Sequence, residues 1–380
     1  MKEVYLDNGA TTMVDPKVLK AMIPYFSESY GNAYSIHNFG LDAKSALEDA
    51  REIIAKLINA DPEEIVFTSG GTESNNLAIK GIAFENKDKN HIITTKVEHK
   101  CVMESCKWLE KQGFKVTYLD VDKDGFVDPK DLEKAITDKT ALVSIIHGNN
   151  EIGGIMDLEP LGKICKKHGV YFHTDACQSF TKTELDVKKF NLDLVTLNAH
   201  KIHGPKGVGA LFVKKDTNIK QWQSGGLHEH GLRAGTENIH GIVGFGEAAK
   251  LANENHVKHM EKLRDKLIDG VLKIPDTKLN GPKHKRLCNN ANFSFKSIEG
   301  EALGGYLDQE GIASSTGSAC SSGTLEPSYV LTAIGLDHEG ANGSQRFTLS
   351  RFTTEDEIDH VLKVLPNIVK RLREISPLIR

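Results

Sequence analysis

Several patterns that mark other classes of protein are missing from this sequence. It has no run of about 18 apolar residues, the length that spans a bilayer, and its first residues, MKEVYLDNGATT, lack the apolar segment of a signal peptide. Lys and Arg (48) do not exceed Asp and Glu (52), so no basic surplus points to nucleic acid. We therefore expect a cytoplasmic protein with neither a membrane nor a nucleic-acid partner.

Cysteine is sparse, and its spacing excludes two kinds of scaffold. The six cysteines form no CxxC pair, which argues against a zinc ribbon or a dense disulfide framework and favours free thiols in a reducing compartment. Cys320 differs in its setting, because it stands in the small polar stretch SSTGSACSSGT (314–324), a composition typical of loops. A free thiol there is either incidental or a nucleophile.

Short β-rich runs recur through the first two-thirds of the chain and alternate with helix-like segments such as 46–58 and 158–169. This alternation predicts an α/β fold with a mostly parallel, mixed sheet flanked by helices. The last two runs are too close in sequence for an intervening helix, which favours a hairpin or an edge strand. The runs are EIVFT (64–68), HIITT (91–95), KVTYL (115–119), ALVSII (141–146), VYFHTDA (170–176), DLVTLNA (193–199) and GALFV (209–213).

The pattern changes near residue 245, where a long amphipathic helix follows. We predict a large domain of residues 15–257 and a smaller α+β domain built from residues 1–14 and 258–380. The smaller domain would carry the loop with Cys320.

A glycine-rich turn follows the first β-rich run. Gly70, Gly71 and Thr72 lie between a strand and a helix, so that backbone N–H groups and a hydroxyl meet at a helix N-terminus, which suits a phosphate. The same sequence fits an ordinary strand-to-helix turn that Thr72 caps. The GxxxxGK pattern of a nucleotide P-loop is absent.

Asp175 ends the run VYFHTDA, and Lys201 lies just past DLVTLNA. Ligands of open α/β sheets bind at the carboxyl ends of the strands, so both side chains could reach one cleft. An amine there can form a Schiff base, and a carboxylate can keep a pyridine nitrogen protonated. With the phosphate-binding turn, the pair predicts a pocket for pyridoxal 5'-phosphate (PLP). The alternative is an internal ion pair or two unrelated charges.

The chain resembles the cysteine desulfurases of the class V aminotransferase family, of the IscS/NifS type, over nearly its whole length. The matching motifs are YLDNGATT, TSGGTESNNLAIKG, EHK, NNEIG, HTDACQS, AHKIHGPKG, LRAGTEN, GSACSSGTLEPSYVL and SRFTTEDEID. The resemblance implies the PLP-dependent fold type I, a homodimer and conversion of L-cysteine to L-alanine. It also implies delivery of sulfur to an iron–sulfur scaffold protein of the IscU type or to another sulfur carrier.

The resemblance also implies roles for residues around the cofactor. Lys201 would hold PLP and move the Cα proton of the substrate, Asp175 would pair with the pyridine nitrogen, and Gln178 would contact the ring oxygen. His99 would stack on the ring and assist proton transfer. The phosphate and its surroundings would be bound by Gly71, Thr72, Asn198, Ala199, His200 and, from the neighbouring subunit, Thr236.

Two further residues are expected to meet the substrate. Asn150 would lie close to cofactor and substrate, and Arg351 would bind the substrate carboxylate, for which a guanidinium is well shaped. Without the resemblance, Arg351 could equally be a surface partner of Glu355.

Cys320 matches the sulfur acceptor of the family. Its thiolate would attack the sulfur of the substrate and become a persulfide while the rest of the substrate becomes alanine. No resident metal is expected, although Cys320 could transiently hold a nascent iron–sulfur cluster. The other five cysteines would be structural, with Cys177 beside the cofactor.

Three alternatives remain open from the sequence. A selenocysteine lyase or a cysteine sulfinate desulfinase would share the fold; His200/His203 and His228/His230 could mark a metalloenzyme; and Cys320 could serve a scaffold without turnover. Three residues depart from the usual family pattern: Asn198 replaces a serine, Ala33 replaces a proline in GNAYS (31–35), and Gly9 replaces a serine.

Overall fold

The computed structural model describes residues 3–317 and 327–376. Its strands are β1 (Val4–Tyr5), β2 (Ile65–Thr68), β3 (His91–Thr95), β4 (Lys115–Leu119), β5 (Thr140–Ser144), β6 (Tyr171–Asp175), β7 (Leu194–Asn198), β8 (Gly209–Val213), β9 (Thr277–Leu279), β10 (Asn290–Phe295), β11 (Ile312–Ala313) and β12 (Ser344–Thr348). Its helices are α1 (Pro16–Met22), α2 (Pro24–Ser27), α3 (Asn38–Leu57), α4 (Gly71–Glu85), α5 (Lys100–Lys111), α6 (Pro129–Ala135), α7 (Leu158–His168), α8 (Ile239–Leu251), α9 (Glu254–Val271), α10 (Gly300–Gln309), α11 (Tyr329–Ala333), α12 (His338–Asn342) and α13 (Glu355–Ile375).

A seven-stranded sheet has the order β2-β8-β7-β6-β5-β3-β4. The pairs from β7 to β4 are parallel, whereas β8 runs antiparallel to both β2 and β7. The predicted mixed and mostly parallel sheet is therefore confirmed. The closely spaced last two runs form the β7–β8 hairpin, and β8 lies inside the sheet rather than at its edge.

Helices cover both faces of this sheet, and an apolar core lies between the sheet and the helices on each face. Successive residues of a strand contribute to opposite cores. In β2, Val66 packs with side chains of α4 and α5, and Phe67 packs with side chains of α3 and α8. In β7, Leu194 likewise packs on the α4 and α5 side, and Val195 packs on the α3 and α8 side. Because neighbouring side chains of a strand point to opposite faces, a strand buried on both faces reads as a continuous apolar run. The sequence pattern of these strands follows from that burial.

A separate apolar core joins the N-terminal residues to the C-terminal third of the chain. Strands β12, β10 and β9 make an antiparallel sheet, and β1 pairs in parallel with β11. The apolar cluster beside them joins Val4 and Leu6 to side chains of α9, α10 and α13. The proposed domain boundaries at residues 14 and 257 stay a prediction. Within the described parts of the chain, no helix is both long and apolar enough to cross a membrane.

Candidate active site

A cavity of about 270 Å³ lies at the carboxyl ends of β6 and β7. Parallel strands end at a common edge of the sheet, which is where ligands of α/β folds bind. Most of the predicted site residues line this cavity, namely Gly71, Thr72, His99, Asn150, Asp175, Gln178, Asn198, His200 and Lys201. Ala199, Thr236 and Arg351 are not among its lining residues. Cys320 lies outside the described residues.

Asp175 is the last residue of β6, and its carboxylate is held from two sides. Oδ1 accepts a hydrogen bond of 2.9 Å from the Cys177 N–H, and Oδ2 accepts one of 2.7 Å from Asn75 Nδ2. The side chain is buried. A carboxylate fixed in this way presents its charge to the cavity in one orientation.

The Lys201 ammonium reaches back to the N-terminal segment. Nζ donates 2.8 Å to the carbonyl oxygen of Ala10 and also donates to the carbonyl oxygen of Gly9. Gln178 Nε2 donates 2.9 Å to the same Gly9 oxygen. Burial, with the Arg346 charge nearby, lowers the pKa of Lys201 to about 8. About a tenth of the amine is therefore neutral, and nucleophilic, at pH 7.

His99 is the N-cap of α5. Its Nδ1 accepts a 3.2 Å hydrogen bond from the Cys101 N–H and lies 2.9 Å from Cys101 Sγ. Burial lowers the pKa of His99, so the ring is neutral at neutral pH. The capping contact fixes the position of the ring at the wall of the cavity.

The start of α4 forms another wall of the cavity. Gly70 has φ of 149°, which glycine tolerates best, and α4 then begins at Gly71. A Cβ on Gly71 would lie 2.5 Å from Cys177 Sγ, so only glycine leaves this space open. The N-terminal N–H groups of α4, Thr72, Asn198 and His200 thus surround one end of the cavity, as an anion site requires.

The remaining predicted cofactor residues lie elsewhere. Ala199 is buried, and its N–H donates 3.3 Å to the carbonyl oxygen of Val208, which holds the turn after β7. Thr236 is exposed on the surface of its own chain.

Arg351 is not among the residues that line the cavity. Its Nη2 lies 2.5 Å from Asp15 Oδ2, and both side chains are almost fully buried. Arg351 lines an adjacent pocket with His203 and His256, and this pocket shares Lys201 with the cavity. The alternative partner, Glu355, pairs with Lys266 instead.

The cavity contains a different arginine, Arg346 of β12, which the sequence interpretation missed. Its Nη1 donates to the carbonyl oxygens of Asn150 (2.8 Å) and Gly317 (3.2 Å), and its Nη2 lies 3.1 Å from Asp7 Oδ1. The sequence signal that could have identified Arg346 is a single charged residue inside the strand-like run QRFTL. The strand, β12 (Ser344–Thr348), has all five residues buried. Buried arginines need partners, and a cavity wall is a place where a ligand can supply one.

Cys101 and Cys177 both line the cavity, and only Cys177 was expected there. Burial raises the pKa of Cys101 to about 12 and raises the pKa of Cys177 well above its usual value. Both are therefore neutral thiols and poor nucleophiles. Cys106, Cys165 and Cys288 are buried and free.

A family model described as aminotransferase class-V matches residues 4–361. The chain belongs to this family. A cysteine desulfurase IscS from Clostridium botulinum is 52% identical over 384 residues, which cover 99% of this chain and 97% of that protein. A solved NifS-like protein is 40% identical with a TM-score of 0.92 and covers 98% of this chain and 100% of its own. A solved structure of SspA in complex with cysteine is 37% identical with a TM-score of 0.84, covering 93% and 100%.

The donor set of the cavity fits PLP, the cofactor of the class V family. A carboxylate, an amine of lowered pKa and a helix N-terminus face one space, as the ring nitrogen, the aldehyde and the phosphate of PLP require. Asn150 Oδ1 and Asn198 Oδ1 are buried acceptors without a hydrogen-bond partner among the described residues, so a ligand donor would satisfy them, or rotation of the amide would turn Nδ2 toward an anion. Asparagine at position 198 is therefore compatible with the cavity.

No cluster of three metal-ligating side chains in the described parts of the chain includes His200, His203, His228 or His230. Within residues 3–317 and 327–376, the one cluster of three side chains with ligand-type atoms within 4.8 Å of one another is His99, Cys101 and Asp175. His203 instead contacts the carbonyl oxygen of Met13 through Nδ1, at 2.8 Å.

Proposed function

We propose that this chain is a PLP-dependent cysteine desulfurase that converts L-cysteine to L-alanine and takes the sulfur on Cys320 as a persulfide. The observation that carries the proposal is the convergence of Asp175, Lys201 and Arg346 on one cavity. The likeness to cysteine desulfurases over 99% of the chain supports the substrate, as does the similar SspA structure, which contains cysteine.

When bound, PLP supplies an electrophilic aldehyde carbon and an electron-withdrawing ring that stabilises negative charge at the substrate Cα. Asp175 would keep the ring nitrogen protonated, and Gln178 would contact the ring oxygen. The phosphate would be bound by Gly71, Thr72, Asn198 and His200. Lys201 would hold the cofactor through Nζ and would move a proton at the substrate Cα.

Arg346 binds the substrate carboxylate, in place of the predicted Arg351. Its guanidinium lies in the cavity beside Asn150, and its Nε is buried without a partner among the described residues. A bound carboxylate would satisfy this donor. Arg351 is paired with Asp15 and lines the adjacent pocket, which shares Lys201 with the cavity, whereas Arg346 lines the cavity itself.

Cys320 belongs to the segment that follows Gly317, and Gly317 is held at the cavity by Arg346. The Cys320 thiolate attacks the substrate sulfur, a sulfur–sulfur bond forms, and the carbon–sulfur bond breaks. The electron pair of that bond stays with the substrate carbon, which takes up a proton and leaves as alanine.

A homodimer completes the proposal. Large apolar side chains are exposed along residues 13–41 and at Leu227, namely Met13, Leu19, Ile23, Phe26, Tyr30, Tyr34, Ile36, Phe39, Leu41 and Leu227. Tyr34 contacts Leu227 and His228, which brings the two segments together. Exposed apolar surface of this kind suits a second copy of the chain, and the exposed Thr236 would then reach the phosphate of the partner's cofactor. An iron–sulfur scaffold of the IscU type, or another sulfur carrier in the cytoplasm, would receive the sulfur.

The proposal is tested by measuring alanine release from L-cysteine, with a reductant present, for the yellow wild-type protein and for Cys320→Ala. We expect the variant to keep its colour and lose alanine release. Undiminished release would exclude Cys320 as the acceptor. Selenocysteine and cysteine sulfinate are assayed in parallel to detect selenocysteine lyase and cysteine sulfinate desulfinase activity. Release of selenium or of sulfinate does not require attack by the Cys320 thiol, so Cys320→Ala should keep either activity if the protein has it.

A further inference from the structure

Two polar side chains without an assigned role connect the two residues that flank the cofactor position. Asn75 of α4 places Nδ2 2.7 Å from Asp175 Oδ2 and 3.1 Å from Cys101 Sγ. Cys101 Sγ in turn lies 2.9 Å from His99 Nδ1. The contacts form one chain from Asp175 through Asn75 and Cys101 to His99.

The direction of the first two hydrogen bonds follows from charge. A carboxylate only accepts, so Asn75 must turn Nδ2, and not Oδ1, toward Asp175. The second hydrogen of Nδ2 is then available to Cys101 Sγ. In this amide orientation Asn75 Oδ1 is buried without a hydrogen-bond partner among the described residues, so its desolvation is not compensated.

The direction of the last bond follows from the capping of α5. His99 Nδ1 already accepts the Cys101 backbone N–H, so Nδ1 carries no proton. The Cys101 thiol is protonated, because its pKa is about 12. Its hydrogen therefore points at the same Nδ1 lone pair, and the proton of the neutral imidazole sits on Nε2.

We propose that Asn75 and Cys101 are positioning residues that orient the Asp175 carboxylate and hold His99 as the Nε2–H tautomer. His99 then presents an Nε2–H hydrogen-bond donor, and not a lone pair, to the cavity. The consequence for catalysis rests on the proposed desulfurase function, whereas the tautomer itself does not.

The ionisable groups around His99 come from three elements. Asp175 of β6 raises the pKa of His99, and Lys201, in the turn after β7, lowers it. Burial, Asp175 and Glu98 raise the pKa of Cys101, whereas hydrogen bonds from Asn75 and Thr72 lower it. Cys101 in turn raises the pKa of Cys177. Replacing Cys101 leaves Asp175 and Lys201 in place, so a change in the pKa of His99 would report the loss of the Cys101 thiol alone.

The tautomer is read directly in the holoenzyme by nitrogen-15 NMR of protein labelled at histidine. The signal of His99 is identified by its loss in His99→Gln. We expect an unprotonated Nδ1 and a protonated Nε2 in the wild type. A protonated Nδ1 would overturn the inference while leaving cysteine desulfuration untouched. Absence of desulfuration with a protonated Nε2 would instead overturn the proposed function alone.

Cys101→Ala tests the contribution of the thiol. A donor to Nδ1 stabilises the neutral ring, so its loss should raise the pKa of His99 by about half a unit to one unit. The pH profile of kcat should shift by the same amount, with KM for L-cysteine unchanged. Cys101→Ser keeps a donor and should restore the wild-type profile. Cys106→Ala, a buried thiol on the same helix away from the cavity, is the matched control.

Asn75→Ala tests the other half of the chain. Loss of this hydrogen bond weakens the interaction of the Asp175 carboxylate with a protonated pyridine nitrogen, so the visible band of bound PLP should change with pH at a lower pH value than in the wild type. Asn76→Ala is the control, because its amide donates to the carbonyl oxygen of Thr72 instead. If the band and the His99 signals of Asn75→Ala match those of the control, the inference fails.

Discussion

Arg351 Nη2 and Asp15 Oδ2 lie 2.5 Å apart, with 6% and 10% of the two side chains exposed. Asp15 is the N-cap of α1, and Arg351 follows β12, so this ion pair joins the segment before the first helix to the C-terminal part of the chain. Both side chains are buried, and Arg351 lines a pocket that shares Lys201 with the cavity. The difference between Arg351 and Arg346 can be measured.

Arg346→Lys should raise KM for L-cysteine about tenfold or more, because a lysine cannot form the paired hydrogen bonds of a guanidinium with a carboxylate. Cysteamine, which lacks the carboxylate, should change the cofactor spectrum of wild type and variant at similar concentrations. Arg351→Lys serves as the control and should leave KM for L-cysteine unchanged. The reverse pattern would restore Arg351 to the substrate site.

Removal of the Asp15–Arg351 pair should instead lower stability. Arg351→Gln leaves a buried carboxylate without its partner, at a cost of about 3 kcal/mol in the free energy of unfolding. Burial opposes ionisation of Asp15, but the Lys17 N–H and Arg351 outweigh it and lower the pKa of this carboxyl. The stability that the pair adds is therefore present above the ordinary aspartate pKa and is lost as pH falls through the lowered value. Urea unfolding at pH 7 and pH 3 should show a smaller difference between variant and wild type at the lower pH.

The two arginines also mark the limit of prediction from sequence. Asp175 and Lys201 could be paired beforehand, because the topology of parallel strands brings the residues after them to one edge. Arg346 and Arg351 are only five residues apart, in QRFTLSRFTT. Which one faces the cavity depends on the register of β12 against β10 and on the partner that Asp15 offers from a distant segment. Cys101 was missed for a related reason, because its place in the cavity follows from the way His99 caps α5.

Lys201 should give cofactor binding a characteristic pH dependence. A neutral amine is needed to react with the PLP aldehyde, and the pKa of Lys201 is about 8. The rate at which cofactor-free protein regains its visible band should therefore rise between pH 7 and pH 9, with its midpoint near the pKa of about 8. Lys201→Ala should form no such band. A midpoint near the ordinary lysine pKa would mean that the cavity does not lower the pKa of this amine.

Glu98 should make the protein less stable as pH rises. Burial raises the pKa of Glu98 to about 8, with Oε1 accepting from Thr95 Oγ1 (2.8 Å) and the Ile146 N–H (2.9 Å). A raised carboxyl pKa means that stability is full below the unfolded pKa and declines as pH rises toward the folded value. Glu98→Gln, which is neutral at every pH, should raise Tm at pH 8 by about 2–4 °C and leave Tm at pH 5 nearly unchanged. An equal change at both pH values would show that Glu98 is not neutral in the fold.

Replacement of Gly71 should weaken PLP binding because its Cα lies against the Cys177 sulfur. A Cβ at this position would lie 2.5 Å from Cys177 Sγ, so Gly71→Ala must displace either the start of α4 or the thiol. We expect at least about tenfold weaker binding of PLP, since the N–H groups of that helix hold the phosphate. Cys177→Ala removes the obstructing sulfur, so the double variant should recover most of the affinity. Gly305→Ala is the control, because a Cβ there meets no atom within 4 Å. If Cys177→Ala fails to rescue Gly71→Ala, the loss arises from the backbone of α4 rather than from the clash.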